Sequence, residues 1–159
     1  MKSRIDPTRV SPQVLRAMFG LNAASESSSL EPALLELVKM RASQINGCAQ
    51  CLDMHTKDAR AAGETEQRLY LLDAWRETAL YSARERAALA WTEAVTRVTD
   101  GHVPDDVYGE VSEHFSEQEL VAVTMAVVAI NGWNRLNIAF RVEAGGYRLG
   151  MFKHLQKTA

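Results

Sequence analysis

Two cysteines and one histidine, Cys48, Cys51 and His55, are spaced as C-x-x-C-x-x-x-H and supply the parts of a reactive dithiol. A thiolate in the first turn of a helix feels the positive end of the helix dipole, so its pKa falls. A histidine four residues further on can accept the thiol proton directly or through a water. A second cysteine three residues away can close a disulfide with the first. This combination indicates a thiol that is oxidised and then resolved.

The order of the two thiols follows from their distance to the histidine. Cys51 is the better candidate for the attacking thiol because His55 is closest to it, and Cys48 is then the resolving thiol. Thioredoxin-like proteins use the opposite order, in which the N-terminal cysteine attacks, so the reverse assignment stays open.

The start of a helix must position this group. Asn46-Gly47 is typical of a helix end, since both residue types tolerate the left-handed backbone conformation. The segment Ala49 to Ala62 contains no Gly or Pro and predicts the next helix. Its first turn holds both cysteines, and the histidine one turn later shares their face.

Two other interpretations of these residues stay open. Zinc could be held by Cys48, Cys51 and His55 with a fourth ligand such as His102 or His114. No second C-x-x-C or H-x-x-H pair is present, which weakens a structural zinc site. The cysteines could also be buried and inert. We favour dithiol chemistry and therefore expect neither a metal nor a cofactor.

The segment from Glu36 to His55 resembles the core motif of the alkylhydroperoxidase D-like (AhpD-like) family, within the carboxymuconolactone decarboxylase superfamily. That motif is a glutamate twelve positions before C-x-x-C-x-x-x-H, and Glu36, Cys48, Cys51 and His55 match it. The run Ile-Asn-Gly-Trp-Asn-Arg at 130–135 resembles a segment common in single-domain members. The resemblance covers roughly residues 15 to 145.

The resemblance implies an activity and a set of roles. In the family, the glutamate and histidine relay protons to the second cysteine, which attacks peroxide. Carried over, Glu36 and His55 serve Cys51, while Cys48 resolves the oxidised thiol. An external dithiol, which in the family can be a lipoylated protein, then reduces the disulfide. Gln50 departs from the pattern of some members, which have a His or Tyr beside the second cysteine.

Glu36 illustrates how much the resemblance adds. It lies among leucines and a valine in a predicted helix, and the pattern alone favours a solvated carboxylate on the polar flank. Only the spacing of the family motif predicts that Glu36 faces the dithiol. If it faces the dithiol, burial is expected to raise its pKa and suit it to shuttle a proton.

Helix caps and breakers predict an all-α, AhpD-like bundle of about six or seven helices in a single domain over residues 1–159. No stretch of strand length alternates apolar and polar residues. We interpret Gly20 to Ser29 as a loop, and Lys57, Asp58 and Arg60 as a solvated face. The predicted helices begin at Pro12 and span Leu30–Ile45, Ala49–Ala62, Glu66–Ala74, Ala83–Val98, Pro104–His114 and Glu117 to about Glu143.

The longest predicted helix carries the apolar run Leu120 to Ile130. Its eleven residues are too few for a bilayer, which needs roughly 17 to 25. A helix apolar on all sides is expected to be buried on all sides, in the middle of the bundle and at a subunit interface. The resemblance implies a homo-oligomer, a dimer, trimer or hexamer. We expect Gly145-Gly146 to end this helix and the tail from Tyr147 to dock on a neighbour or stay loose.

Polar residues follow the apolar run in the same predicted helix. Asn131, Asn134 and Asn137, with Arg135 and Arg141, are interpreted as a structural hydrogen-bonded network or interface rather than as catalysts. His102 and His114, near predicted helix ends, are interpreted as surface or capping residues.

The composition limits the function classes. The 18 basic and 20 acidic residues are mixed along the chain, and no basic patch argues for nucleic acid. The first residues lack an apolar region, so we expect no signal peptide and a cytoplasmic protein without a membrane partner. The leading hypothesis is a thiol-dependent peroxidase that takes a peroxide substrate and an external dithiol. The alternatives are a non-catalytic redox-sensing or partner-binding oligomer, and carboxymuconolactone decarboxylation, whose enzymes generally lack the dithiol.

Overall fold

A computed structural model describes residues 2–152, which are all-α, with no strand among them, as the sequence predicts. Two short 3-10 helices, Leu72–Glu77 and Val98–Asp100, accompany the α-helices. The eight α-helices are α1 (Pro7–Val10), α2 (Pro12–Glu26), α3 (Pro32–Asn46), α4 (Ala49–Ala61), α5 (Glu66–Leu71), α6 (Ala83–Thr96), α7 (Asp105–His114) and α8 (Glu117–Phe140).

Local capping signals explain where several of the helices start or stop. The Ser82–Glu85 capping box begins α6, with both reciprocal hydrogen bonds in place. A second capping box, Ser116–Glu119, begins α8 in the same way. Gly47 ends α3 in the left-handed conformation, at φ +67°, as the sequence predicts.

Two predicted boundaries are wrong. The loop predicted from Gly20 is the second half of α2, which continues to Glu26. A glycine costs a helix only about 1 kcal/mol, and the Phe19 ring, 5.0 Å from Trp133 between centroids, helps hold this helix against α8. The last helix ends earlier than predicted, because Arg141 takes a left-handed conformation at φ +53° instead of leaving the turn to Gly145-Gly146.

The core is arranged around α3, which packs against α4, α6 and α8. One apolar cluster joins α3 to α6, α7 and α8, and a second joins it to α4, α5 and α6. A third, small cluster contains Ala42 of α3, both cysteines and Ile130 of α8, with Trp133 against it. The dithiol therefore lies where α3, α4 and α8 meet.

Within one chain, the apolar run of α8 is buried on one face only, and its predicted burial at a subunit interface stays a prediction. Val123, Val127 and Ile130 are buried. Val121 and Val128 lie on a different face of the helix. Their exposed fractions are 63% and 46%. No helix in residues 2–152 combines the length and apolar character needed to cross a membrane.

The segment that follows α8 folds back onto α4. The Tyr147 backbone N–H donates to Asp53, and its carbonyl accepts from Lys57 Nζ at 3.0 Å. The predicted docking on a neighbour or loose state is therefore wrong for Tyr147, which is buried against its own chain. The remainder of the predicted tail, 153–159, lies outside the described residues.

Candidate active site

The two cysteines form a buried pair at the start of α4. Cys48 occupies the N-cap position and Cys51 the first turn, and their sulfurs are joined as a disulfide across a Cα–Cα distance of 5.4 Å. Their exposed fractions are 1% and 0%. The sequence predicts this placement because it depends only on local helix geometry.

Glu36 of α3 reaches His55 of α4, with 2.9 Å between Oε2 and Nδ1. His55 is buried and the Glu36 side chain is 17% exposed. The interpretation of Glu36 as a solvated carboxylate is therefore wrong, and the family spacing was the informative signal. Pattern alone could not show this, because the contact depends on how α3 packs against α4.

The ionisation of Glu36 differs from the sequence expectation. Burial raises its pKa, but the hydrogen bond and charge of His55, together with Lys39, outweigh burial and lower the pKa to about 2. Lys39 Nζ lies 3.0 Å from a carboxylate oxygen of Glu36 and 3.0 Å from one of Glu26. Burial lowers the pKa of Lys39, but these two carboxylates raise it overall. Glu36 is therefore a carboxylate at neutral pH, and the predicted upward shift is wrong.

An ionised Glu36 has a definite effect on the histidine. A carboxylate at Nδ1 accepts a hydrogen bond from the ring and fixes the ring's orientation. The ring nitrogen Nε2 is then the one left to exchange a proton with a neighbour. The pair therefore suits a histidine that moves protons and a glutamate that holds the histidine in place.

Asp58 also belongs to this group, although the sequence analysis assigned it to a solvated face. One oxygen each of Glu36 and Asp58 and one ring nitrogen of His55 lie within 4.8 Å of one another. Burial and the charge of Glu36 raise the pKa of Asp58 against the opposing hydrogen bond from Tyr147. The Tyr147 hydroxyl donates to Asp58 Oδ1 at 2.8 Å, and burial and Asp58 raise the pKa of Tyr147 to about 12. The sequence signal that could have found Asp58 is its spacing. Asp58 follows His55 by three residues, which places both side chains on one face of the helix.

The zinc alternative is not supported by the arrangement of the ligands. Within residues 2–152, the group able to hold a metal ion is Glu36, His55 and Asp58, and it contains neither cysteine. His102 and His114 do not join the dithiol in such a group. Lys39 already places an ammonium on Glu36, which opposes a second cation there.

The asparagines of α8 divide into two groups. Asn134 is fully buried, donates to Ser43 Oγ at 3.0 Å and accepts from Asn46 at 2.8 Å. Asn131 donates to Thr96 at 3.0 Å, so the predicted structural network is confirmed for these two residues. Asn137 lies outside this network, because its Nδ2 donates to Cys51 Sγ at 3.3 Å. The structure explains this contact, since Asn137 follows Ile130 of the dithiol cluster by seven residues, two helical turns.

A cavity of about 1030 Å³ lies beside the Glu36–His55 pair. Its lining includes Glu36, His55, Gln50 and Asn137. Gln50 Oε1 is buried and has no hydrogen-bond partner among residues 2–152. The indole N–H of Trp133, which lines the cavity, donates to Asn22 Oδ1 at 3.2 Å. The aromatic lining consists of Phe19, Trp133, Tyr147 and Phe152.

Comparison with known proteins identifies the family of this chain. The sequence model of the carboxymuconolactone decarboxylase family matches residues 12–94, and the chain belongs to that family. The uncharacterised protein YdfG of Bacillus subtilis is 42% identical over 139 residues, which are 87% of this chain and 95% of YdfG.

Solved structures place the chain in the AhpD-like fold. A protein of unknown function from Agrobacterium tumefaciens, proposed to be the antioxidant defence protein AhpD, superposes with a TM-score of 0.89 at 42% identity. The match covers 92% of this chain and all (100%) of that one. An uncharacterised peroxidase-related protein from Silicibacter sp. TM1040 has a TM-score of 0.76 at 21% identity, over 89% of this chain and 75% of that one, and it bears on the fold alone.

Proposed function

We propose that this protein is a thiol-dependent peroxidase in which Cys51 attacks peroxide and Cys48 resolves the product. The observation that carries the proposal is the buried Cys48–Cys51 pair at the start of the helix that also holds His55, whose hydrogen bond with Glu36 lies at the edge of a large cavity. An inert pair of cysteines would need neither the histidine nor the cavity.

The reaction consumes one peroxide and one external dithiol per cycle. The Cys51 thiolate attacks the terminal oxygen of R–O–O–H, so an S–O bond forms and the O–O bond breaks. The sulfur is oxidised to a sulfenic acid, which keeps the hydrogen of the terminal oxygen, and the other oxygen leaves as RO⁻. A proton converts RO⁻ to the alcohol.

Resolution regenerates a disulfide. The Cys48 thiolate attacks the sulfenic sulfur, the S–S bond forms, and the departing hydroxide takes a proton to become water. An external dithiol, such as the lipoyl group of a lipoylated protein, reduces the disulfide by exchange and is itself oxidised. The net change is one peroxide reduced to an alcohol and water.

The proton steps are assigned to His55. It takes the Cys51 proton and returns a proton to the departing oxygen, while ionised Glu36 holds the ring through Nδ1. Glu36 is therefore a positioning residue in this proposal and stays charged throughout the cycle. This assignment replaces the sequence-based expectation of a glutamate that shuttles the proton itself.

We also propose that the protein is a homo-oligomer that uses the exposed stripe of α8. Val121 and Val128 lie one face of the helix away from the core, and large exposed aliphatic side chains are a feature of association surfaces. Light scattering should give a mass of at least twice 17.7 kDa, and Val128→Asp should reduce it. A monomeric wild type would refute this part.

The activity is tested by steady-state peroxide consumption with dihydrolipoamide as reductant. Wild type should turn over, Cys48→Ser should form a sulfenic acid once without turnover, and Cys51→Ser should do neither. Dimedone trapping on Cys48 in the Cys51→Ser variant would reverse the thiol order. Oxidation of wild type without any turnover would favour the redox-sensing alternative, in which the dithiol reports redox state to a partner.

A further inference from the structure

We infer that Asn137 and Gln50 form a donor and acceptor pair that holds the peroxy group against Cys51. This assignment rests on the proposed peroxidase function and adds two residues to it. Asn137 touches the reacting sulfur, and Gln50 presents a buried carbonyl that no protein group in the described structure satisfies. Both side chains line the same cavity.

Asn137 is the side chain that connects the sulfur to the cavity. Cys51 is fully buried, whereas Asn137 donates to Cys51 Sγ at 3.3 Å and also lines the cavity. A hydrogen bond to a disulfide sulfur is weak, but the same N–H directed at a thiolate is charge-assisted and stronger. The contact therefore favours the reduced, ionised Cys51 that must attack.

The amide of Asn137 has a second donor for the reaction itself. Its nitrogen carries two N–H groups, and residues 2–152 supply a partner for only one of them, the Cys51 sulfur. As the O–O bond breaks, negative charge gathers on the departing oxygen, which lies in line with the sulfur and beyond the terminal oxygen. A donor already held in place there stabilises the transition state more than the ground state.

Gln50 offers the complementary group. Its Oε1 is buried without a partner, and a buried carbonyl in that state is costly unless a bound molecule donates to it. A hydroperoxide has one such donor, the O–H of its terminal oxygen. Gln50 lines the same cavity as Asn137, so a peroxide bound through this O–H shares that cavity with the side chain that contacts Cys51 Sγ.

The two pairs of residues then divide the chemistry. Glu36 and His55 move protons, whereas Asn137 and Gln50 hold the sulfur and the two peroxide oxygens in line for displacement. Gln50 is in this view a binding group for peroxide rather than a member of the proton relay.

The experiment uses full-length protein in a Cys48→Ser background, which isolates Cys51. The ultraviolet absorbance of the thiolate, followed against pH, gives the midpoint of Cys51 ionisation without any peroxide. Stopped-flow oxidation by cumene hydroperoxide gives the rate of attack. The variants are Asn137→Leu and Gln50→Met, which keep the side-chain volume and remove the polar groups.

The expected results separate the two roles. Asn137→Leu should raise the Cys51 midpoint and slow oxidation by about 100-fold, as the loss of a transition-state donor does. Gln50→Met should leave the midpoint unchanged and slow oxidation by about tenfold, the effect of one lost hydrogen bond. Asn137→Asp, which is isosteric but negatively charged, should raise the midpoint at least as far as Asn137→Leu.

Asn134→Ala is the matched control, since it removes a buried asparagine of the same helix whose amide bonds Ser43 rather than a cysteine. It should lower the melting temperature and leave the Cys51 midpoint unchanged. If Asn137→Leu leaves the midpoint and the rate unchanged, the role of Asn137 is overturned. The same holds if Asn134→Ala shifts the midpoint as far as Asn137→Leu does. An unchanged oxidation rate in Gln50→Met would overturn that of Gln50.

Failure of the proposed function has a different signature. Wild type that ionises Cys51 normally but does not react with peroxide would refute the peroxidase proposal and the role of Gln50 with it. A midpoint shift in Asn137→Leu would still support the contact between Asn137 and the thiolate. Wild type that turns over while both variants match it would refute only the present inference.

Discussion

Two buried ionic clusters lie on α3, and they differ in what surrounds them. In the first, Arg41 donates to Glu93 at 2.7 Å, and the same carboxylate accepts from Trp75 at 2.8 Å and Arg76 at 2.6 Å. In the second, Glu36 pairs with Lys39 and His55. The second cluster opens onto the large cavity, whereas the first contributes no residue to its lining.

The comparison shows that a lowered carboxyl pKa does not by itself mark a functional site. Burial raises the pKa of Glu93, but hydrogen bonds from Trp75, Arg76 and Arg41 lower it overall. The pKa of Glu36 is lowered in the same sense. The difference lies in the partners: arginines and an indole bind Glu93, whereas Glu36 binds the histidine to which the proposed mechanism assigns the proton steps.

The largest effect is expected for His55→Ala. Loss of a positioned general base should slow the oxidation of Cys51 by roughly two to four orders of magnitude at neutral pH. Stopped-flow oxidation by a hydroperoxide measures this rate, and His114→Ala, at the end of α7, is the control that should match wild type. If His55→Ala oxidises at the wild-type rate, the second cluster is structural like the first.

Acid stability should report the second cluster through Glu36. Its pKa falls from 4.5 to about 2 on folding, so the unfolded state binds this proton more tightly. The resulting stability, about 3 kcal/mol, is complete above the unfolded pKa and is lost as the pH falls from about 4.5 through about 2. Urea unfolding across that range should have a steep pH dependence in wild type.

The corresponding variant makes this test specific. Glu36→Gln should flatten the pH dependence of unfolding between about pH 4.5 and pH 2, because the titrating group is gone. The contribution of Glu93 to the pH dependence of unfolding should remain. Identical slopes in the variant and wild type would mean that the partners of Glu36 do not lower its pKa in the folded protein.

The smallest effect is expected for Tyr147→Phe, which removes the hydroxyl that donates to Asp58. The loss of one hydrogen bond should cost about 1 kcal/mol of stability. Without this donor the pKa of Asp58 should rise further, so the pH profile of Cys51 oxidation should move.

A matched tyrosine sharpens this prediction. Tyr81 is also buried and donates its hydroxyl to the backbone carbonyl of Arg68, in the apolar cluster that contains Trp75. Tyr81→Phe should lose similar stability without moving the pH profile. Equal pH profiles in the two variants would exclude Tyr147 from the site.

The sequence predicted what depends on neighbours along the chain. The spacing of Cys48, Cys51 and His55, the capping boxes and the left-handed Gly47 all act within one or two helical turns, so they were predicted correctly. The direction in which the Glu36 side chain points depends on how α3 packs against α4. Only the spacing of the family motif predicted that direction. The lowered pKa of Glu36 was missed because its sign depends on two partners, Lys39 and His55, that burial alone does not reveal.

Other features could not be predicted because they depend on contacts across the fold. Asp58 was assigned to a solvated face by its charged neighbours, although its face carries His55. Asn137 reaches Cys51 across 86 residues of sequence, and composition gives no sign of it. The helical Gly20 has a similar cause, because the packing of Phe19 on Trp133 outweighs its low helix propensity.

The central claim is that the Glu36 cluster serves the thiol and the Glu93 cluster serves the fold. The most direct measurement compares Cys51 oxidation by a hydroperoxide in Glu36→Gln and Glu93→Gln, at a temperature where thermal unfolding shows both variants folded. Both should lose stability, because each loses a buried charge partner. Glu36→Gln should also oxidise about 10- to 100-fold more slowly, as when the partner that orients a reactive histidine is removed, while Glu93→Gln keeps the wild-type rate. Equal rates in the two variants would contradict the account.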